Sequence, residues 1–306
     1  MRISESLLQK SNTFTFSYSA IRNLHSTNIR KLELLKMTLI DFLFFVLIGC
    51  VVGFLAGLFG VGGGFVMVPI LLFSYEHSGV SPTVLTHIAI GTSLFVVVFA
   101  SMMSAYQHRK QGNIDWRAVW IIGLSSALTA LATSRVAADL SGRHLRIAFA
   151  VIVMAAAVRM LTESASKAQK KLELSSRPSS HGLIGVGLAA GIVSALAGIG
   201  GGLFTIPIMY QFLNMPLKLA IGTSSAAILI TALSSVTGYI VNGIGRADLP
   251  AWSIGFVDLQ RGIALALGTL LFARVGAYVS FKTHPFLLKG LFAIFVIAIS
   301  IYILLK

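Results

Sequence analysis

The sequence predicts an all-α integral membrane protein built from two tandem, pseudo-symmetric repeats. Each repeat has four long helices plus one short helix that follows a Gly-Gly-Gly break. Three observations predict it. Of 306 residues, 56% are hydrophobic and only 11% charged, with a mean hydropathy of +0.87, whereas soluble domains carry about a quarter charged residues. The stretch from Gly53, GFLAGLFGVGGGFVMVPILL, returns from Gly191 as GIVSALAGIGGGLFTIPIMY, with eight of twenty residues shared at an offset of 138. Ala89-Ile90-Gly91-Thr92-Ser93 then recurs letter for letter as Ala220-Ile221-Gly222-Thr223-Ser224. Such self-similarity has to be read before any single element.

In chain order, residues 1–37 form a polar tail, expected to be disordered or upstream of the true start at Met37. It lacks the apolar core of a signal peptide. The first repeat, 38–162, holds apolar segments at 38–58, 63–75, 83–107, 118–136 and 145–162. A hydrophilic linker follows at 163–181. The second repeat, 182–306, repeats the order at 182–199, 202–213, 217–243, 262–281 and 285–305. The formal charge of +14 sits mostly between apolar segments, where it sets orientation in a bilayer rather than marking a nucleic-acid surface. Whether the two short segments cross or re-enter, giving ten or eight crossings, is left open by the distribution of Lys and Arg.

The physics of the glycine block is that of an interrupted membrane helix. Three adjacent glycines have high backbone freedom and poor helix propensity, so an apolar helix tends to end there. The segment that restarts is shorter than the roughly 20 residues a straight span needs. Backbone released by such a break has to be buried in protein or line a watery cavity. Matched short, Gly/Pro-interrupted segments in two halves are the sequence pointer to a transporter's binding site. Gly62, Gly63, Gly64, Gly200, Gly201 and Gly202 are therefore candidate substrate contacts, with Pro69 and Pro207 as accompanying structural breaks. A helix restarting at Gly64 or Gly202 would offer free N–H groups and a positive dipole end to an anion. The plainer alternative is close helix packing on small residues. A dinucleotide fingerprint is excluded, because the third glycine is misplaced and no strand precedes.

Thr92, Ser93, Thr223, Ser224 and Ser225 are hydroxyl donors within apolar helices and join the candidate substrate contacts; the alternative is bonding back to their own helix. His87 and Lys218 lie one turn before the two Gly-Thr-Ser blocks and could attract an anion, although interfacial anchoring is the preferred reading. Asp258 and Arg261 are three apart and could pair on one helix face. Arg261 is the third candidate for anion attraction, with an interfacial placement beside Trp252 as the alternative. No acidic residue is expected securely in mid-membrane, which argues against a cation pathway built on carboxylates. No metal-ligand spacing, no cofactor motif and no catalytic serine signature occurs, and the single cysteine, Cys50, permits no disulfide.

The doubled Gly-x-Gly-Gly-Gly-x-x-x-x-Pro at 60–69 and 198–207, the two Ala-Ile-Gly-Thr-Ser blocks and the length resemble the TauE/SafE sulfite-exporter family, also called the toluenesulfonate uptake permeases. The resemblance covers about residues 38–305. It implies a multi-pass transporter of a bacterial inner membrane, not an enzyme, for small anions: sulfite, organosulfonates or related carboxylates. An anion channel and a membrane scaffold or enzyme are the rival readings. The partners expected are the lipid bilayer and the small anion, with a coupling proton or other ion and a homo-oligomer as further options.

Overall fold

The computed structural model describes residues 39–58, 62–162, 178–246 and 248–282. The polar tail, the linker up to residue 177 and the last expected span at 285–305 lie outside the described residues. Two units are distinguished, Met1–Phe44 and Phe45–Lys306. Of the first, only Leu39–Phe44 is described, as helix. Every contact below lies within the second.

Nine helices are described. In order they are α1 (Leu39–Leu58), α2 (Gly64–His77), α3 (Pro82–Lys110), α4 (Trp116–Asp139), α5 (Gly142–Thr162), α6 (Ser180–Ala197), α7 (Gly202–Gln211), α8 (Leu217–Gly243) and α9 (Leu259–Lys282). Five of them, α1, α3, α4, α6 and α8, are long and apolar enough to cross a membrane. Their ends follow local chemistry. Pro82 opens α3 after Ser81, a position where the missing N–H costs nothing. Asp115 caps α4 by accepting from the Ala118 N–H at 3.2 Å, and Ser179 caps α6 by accepting from Gly182 at 3.2 Å. The helix α6 starts two residues inside the expected linker.

Pro69 and Pro207 lie inside α2 and α7 rather than at breaks. This corrects the expectation for both. A proline removes one backbone bond and bends a helix, but the flanking apolar residues carry it on. The interruption belongs to the glycines: Gly63 (φ 75°) and Gly201 (φ 82°) are the left-handed residues from which α2 and α7 start, a conformation disfavoured for residues with a Cβ.

The two short helices turn back. Helices of 14 and 10 residues reach about 21 and 15 Å at 1.5 Å per residue, short of a bilayer core of about 30 Å. Leu213, just after α7, packs on Gly182 in the first turn of α6, so the α6–α7 hairpin ends where it began. The Arg261 guanidinium lies over both the Phe45 ring of α1, at 5.4 Å, and the Tyr75 ring of α2, at 4.4 Å. The α1–α2 hairpin therefore closes in the same way. Ser78 at the base of α1–α2 leads directly into α3. The far end of α3 leads into α4, whose Arg117 donates to Ser180 of α6 at 2.7 Å. The hairpins thus enter from opposite ends of the bundle.

Helices α3 and α8 form the centre, each 67% buried over its apolar window against 28% for α1. Val97, Ile228 and Ala232 pack there as one apolar cluster. A second cluster joins Ala118 and Ile122 of α4 to Leu183 and Val186 of α6 and Met209 of α7. The chain is not wholly helical: Ser253–Ile254 and Val257–Asp258 pair antiparallel in a small ladder before α9, turned by Gly255 (φ 54°). Apolar periodicity carried no sign of it, because two residues per strand show no period.

Candidate functional site

The tips of the two hairpins meet beside α3 and α8. A Cβ on Gly64 would collide with the Gly198 carbonyl oxygen and stand 2.8 Å from Ile199 Cα. Gly62 and Gly200 face the same two side chains. A Cβ on Gly62 would lie 3.2 Å from Val97 and 3.9 Å from Ile228, and one on Gly200 would lie 2.8 Å from Val97 and 2.7 Å from Ile228. Only glycine admits backbone this close. Gly63 and Gly201 look the other way, each onto its own hairpin: Ala56 Cβ at 2.9 Å and the Ala190 carbonyl at 2.7 Å. Gly202 opens α7 and is buried.

The serines of the repeated block serve these tips. Ser93 donates to the Gly198 carbonyl at 2.9 Å and lies 3.5 Å from that of Gly64. Four residues on, on the same face of α3, is Val97. Ser224 and Ile228 repeat this spacing on α8. Ser224 is fully buried, and its hydroxyl has no partner among the described residues. Neither α2 nor α7 has a side-chain cap. Two uncapped helix starts therefore converge on one apolar-walled region, and Ser224 lies one helical turn from Ile228 in its wall.

The threonines do something else. Thr92 Oγ1 accepts from the Asp258 N–H at 3.0 Å, and Thr223 Oγ1 accepts from the Asp115 N–H at 3.0 Å. The preceding glycines make room: Cβ atoms on Gly91 and Gly222 would strike the carbonyl oxygens of Phe256 and Asn113. Each Gly-Thr pair thus docks a turn from the other half of the chain. Those turns share a pattern that sequence reading missed, Gly112-Asn113-Ile114-Asp115 and Gly255-Phe256-Val257-Asp258. The signal was a short Gly-x-(Ile/Val)-Asp at unequal spacing. Ser225 bonds its own helix at Ile221, 2.9 Å, and Ser104 of α3, 2.9 Å.

His87 is buried, not an interfacial anchor. Its Nε2 lies 3.1 Å from both the Ala137 and the Leu140 carbonyl oxygens; carbonyls only accept, so Nε2 carries the proton and closes the C-terminal end of α4. Lys218 is exposed in the first turn of α8. Arg261 is engaged: Nη1 lies 3.7 Å from Asp258 Oδ2, and Nη2 donates to Ser78 at 2.6 Å. The pairing expected of Asp258 and Arg261 is present. Asp258 is 3% exposed and also accepts from the Tyr75 hydroxyl at 3.1 Å. Burial pushes its carboxyl above the usual carboxylate range, against the opposing pull of Arg261 and Tyr75. Among the described residues, no three His, Cys, Asp or Glu side chains are placed to hold a metal ion.

The sequence pattern of the family described as Sulfite exporter TauE/SafE matches residues 45–304. The chain belongs to that family. A probable membrane transporter protein of Haemophilus influenzae is 34% identical over 265 residues, covering 85% of this chain and 97% of the relative. One of Methanocaldococcus jannaschii is 30% identical over 83% of this chain and 91% of the relative. One of Xylella fastidiosa is 31% identical over 84% and 92%. No solved structure matches the chain. This TauE/SafE member is a membrane protein of a transporter family, and its hairpin tips lie at the doubled glycine motif.

Proposed function

We propose that this chain carries small organic or inorganic anions, such as sulfite, organosulfonates or related carboxylates, across a bacterial inner membrane, without chemical turnover. One observation carries the reading: two uncapped helix starts from opposite ends of the bundle reach one place, walled by Ile228, one turn from a buried Ser224 hydroxyl that has no partner among the described residues. Helix N-termini favour negative charge, and an oxyanion would accept from their N–H groups and from Ser224. The binding residues proposed are Gly62, Gly64, Gly200, Gly202 and Ser224, with Ser93 holding the Gly198 tip and Gly63 and Gly201 setting the hairpins. Thr92 and Thr223 hold the surrounding turns. The halves 38–162 and 182–306 are read as tandem copies of one unit, laid down in opposite senses around this site. In such an arrangement either hairpin can swing while the other stays, exposing the anion to one end at a time.

The test is flux of labelled sulfite, methanesulfonate and lactate in proteoliposomes. Saturable, gradient-driven movement of at least one anion is expected. Flux that never saturates would indicate a pore, and no flux of any of them would overturn the proposal.

A further inference from the structure

The two ends of the bundle use the same device, an Asp whose N–H docks on a Gly-Thr-Ser threonine and whose carboxylate caps a helix. Asp115 accepts from Ala118, and Asp258 accepts from the Arg261 N–H at 3.2 Å. Capping and docking explain both. They do not explain what is added at one end only. Asp258 is buried and ringed by Tyr75, Thr92 and Arg261, whereas Asp115 is partly exposed and has Ala118 where Asp258 has Arg261.

The added groups form a closed circuit. The Asp258 N–H donates to Thr92 Oγ1, the Thr92 hydroxyl lies 3.3 Å from Tyr75 Oη, and Tyr75 donates back to Asp258 Oδ2. Arg261 ties this circuit to the α1–α2 hairpin through Ser78, the Tyr75 ring and the Phe45 ring. Asp258 and Arg261 therefore join the base of α2 to the start of α9, whose Leu265, Gly268 and Thr269 pack closely on Val46, Gly49 and Gly53 of α1. We infer that Asp258 is a proton-binding site that couples proton movement to opening of the α1–α2 hairpin. This rests on the carrier reading above.

A proton added to Asp258 cancels the charge that holds Arg261 and turns the charge-assisted bond from Tyr75 into a weaker neutral one. Among the described residues Arg261 then keeps Ser78 and two ring faces, and the base of α2 is loosened from the start of α9. The proton leaves when the carboxylate re-forms its pair. The charged and titratable groups around Asp258 fit this exchange: Arg261 on its own helix, Tyr75 on α2, and His87 of α3, stacked on Phe256 at 5.1 Å. Burial already biases the carboxyl towards taking up a proton.

Infrared spectra of the reconstituted full chain, recorded from alkaline to acid pH without any anion, test the proton site directly. A component of the protonated-carboxyl band that titrates above the ordinary carboxylate range should appear in the wild type, be lost in Asp258→Asn and persist in Asp115→Asn. In Arg261→Gln and Tyr75→Phe, each of which removes a group that favours the charged form, the band should grow in at higher pH. A band unaffected by Asp258→Asn, or unmoved by both neighbouring substitutions, overturns the inference. Should Asp258→Asn not fold, the two neighbouring variants still decide it. In proteoliposomes loaded with a pH dye, methanesulfonate flux should carry protons in the wild type and lose that coupling in Asp258→Asn. If no anion moves, the carrier reading fails while the infrared result stands alone. If anions move with no proton in the wild type, the coupling fails and the carrier reading survives.

Discussion

The Ser93 hydroxyl of α3 donates to the Gly198 carbonyl at 2.9 Å, so a residue early in the chain holds the tip of a hairpin 105 residues later. Its counterpart Ser224 has no such partner among the described residues. The two serines should therefore respond differently to removal. Ser93→Ala leaves a buried carbonyl short of a donor and should lower stability by about 1–3 kcal/mol, seen as a lower Tm of the purified protein. Ser224→Ala breaks no hydrogen bond among the described residues, so its Tm should hold. Its affinity for the transported anion should fall by roughly ten- to a hundred-fold, from a lost hydrogen bond to a charge of about 1.5–3 kcal/mol. Calorimetric titration of both variants separates the two roles. A Ser224→Ala protein with unchanged affinity would remove this hydroxyl from the site.

The glycines divide by direction. Gly64→Ala drives a methyl into the backbone at Gly198 and Ile199 and should force the two tips apart, at an overpacking cost of about 1–3 kcal/mol. Gly63→Leu and Gly201→Leu instead wedge their own hairpins and hold a leucine at φ 75° and 82°. Those two should lower the yield of folded protein, measured by monodisperse elution, before flux is even assayed. A well-folded Gly63→Leu protein with normal flux would show that the tip tolerates rearrangement.

Thr92→Val and Thr223→Val keep shape and remove an acceptor. Each strands an N–H, that of Asp258 or Asp115, in a buried or half-buried turn. A loss of about 1–3 kcal/mol is expected for each, with the larger effect at Thr92, which also serves Tyr75. The two sites dock separate turns and share no partner, so the double variant should lose the sum of the singles. Thermal unfolding checks this. Undiminished Tm with weakened anion binding would return both hydroxyls to the substrate.

For Asp258 the sign follows from burial. The folded chain holds its proton more tightly than the unfolded chain, so this group's contribution to stability falls as pH rises from the ordinary carboxylate range through its raised folded value. Above that value the deficit is complete. Asp258→Asn cannot titrate, so its Tm relative to wild type should climb from acid to neutral pH. The opposite slope would mean that Arg261 and Tyr75 outweigh burial.

What the sequence determined by itself was local. Apolar length set the helices: α8 spans the expected 217–243, and α3 and α4 extend only a few residues beyond expectation. The glycine triplets fixed both interruptions, because φ near +80° at Gly63 and Gly201 is a property of glycine itself. The i,i+3 spacing of Asp258 and Arg261 gave their pairing, since helix geometry brings such residues together without outside help. Three matters waited for the tertiary structure. Whether the short helices cross or return depends on where Leu213 and Ser78 come to rest, against Gly182 and Arg261. The Gly-Thr blocks read as ligand contacts until turns from the opposite half were seen to occupy Thr92 and Thr223. Asp258 stands in a stretch that Trp252 and Pro250 suit to an interface, and nothing beside it in the sequence marks it as buried. Its burial comes from Tyr75, Thr92 and Phe256, of which the first two are over 160 residues away in the chain. Local propensity cannot encode such contacts, because their energy exists only once distant helices have packed.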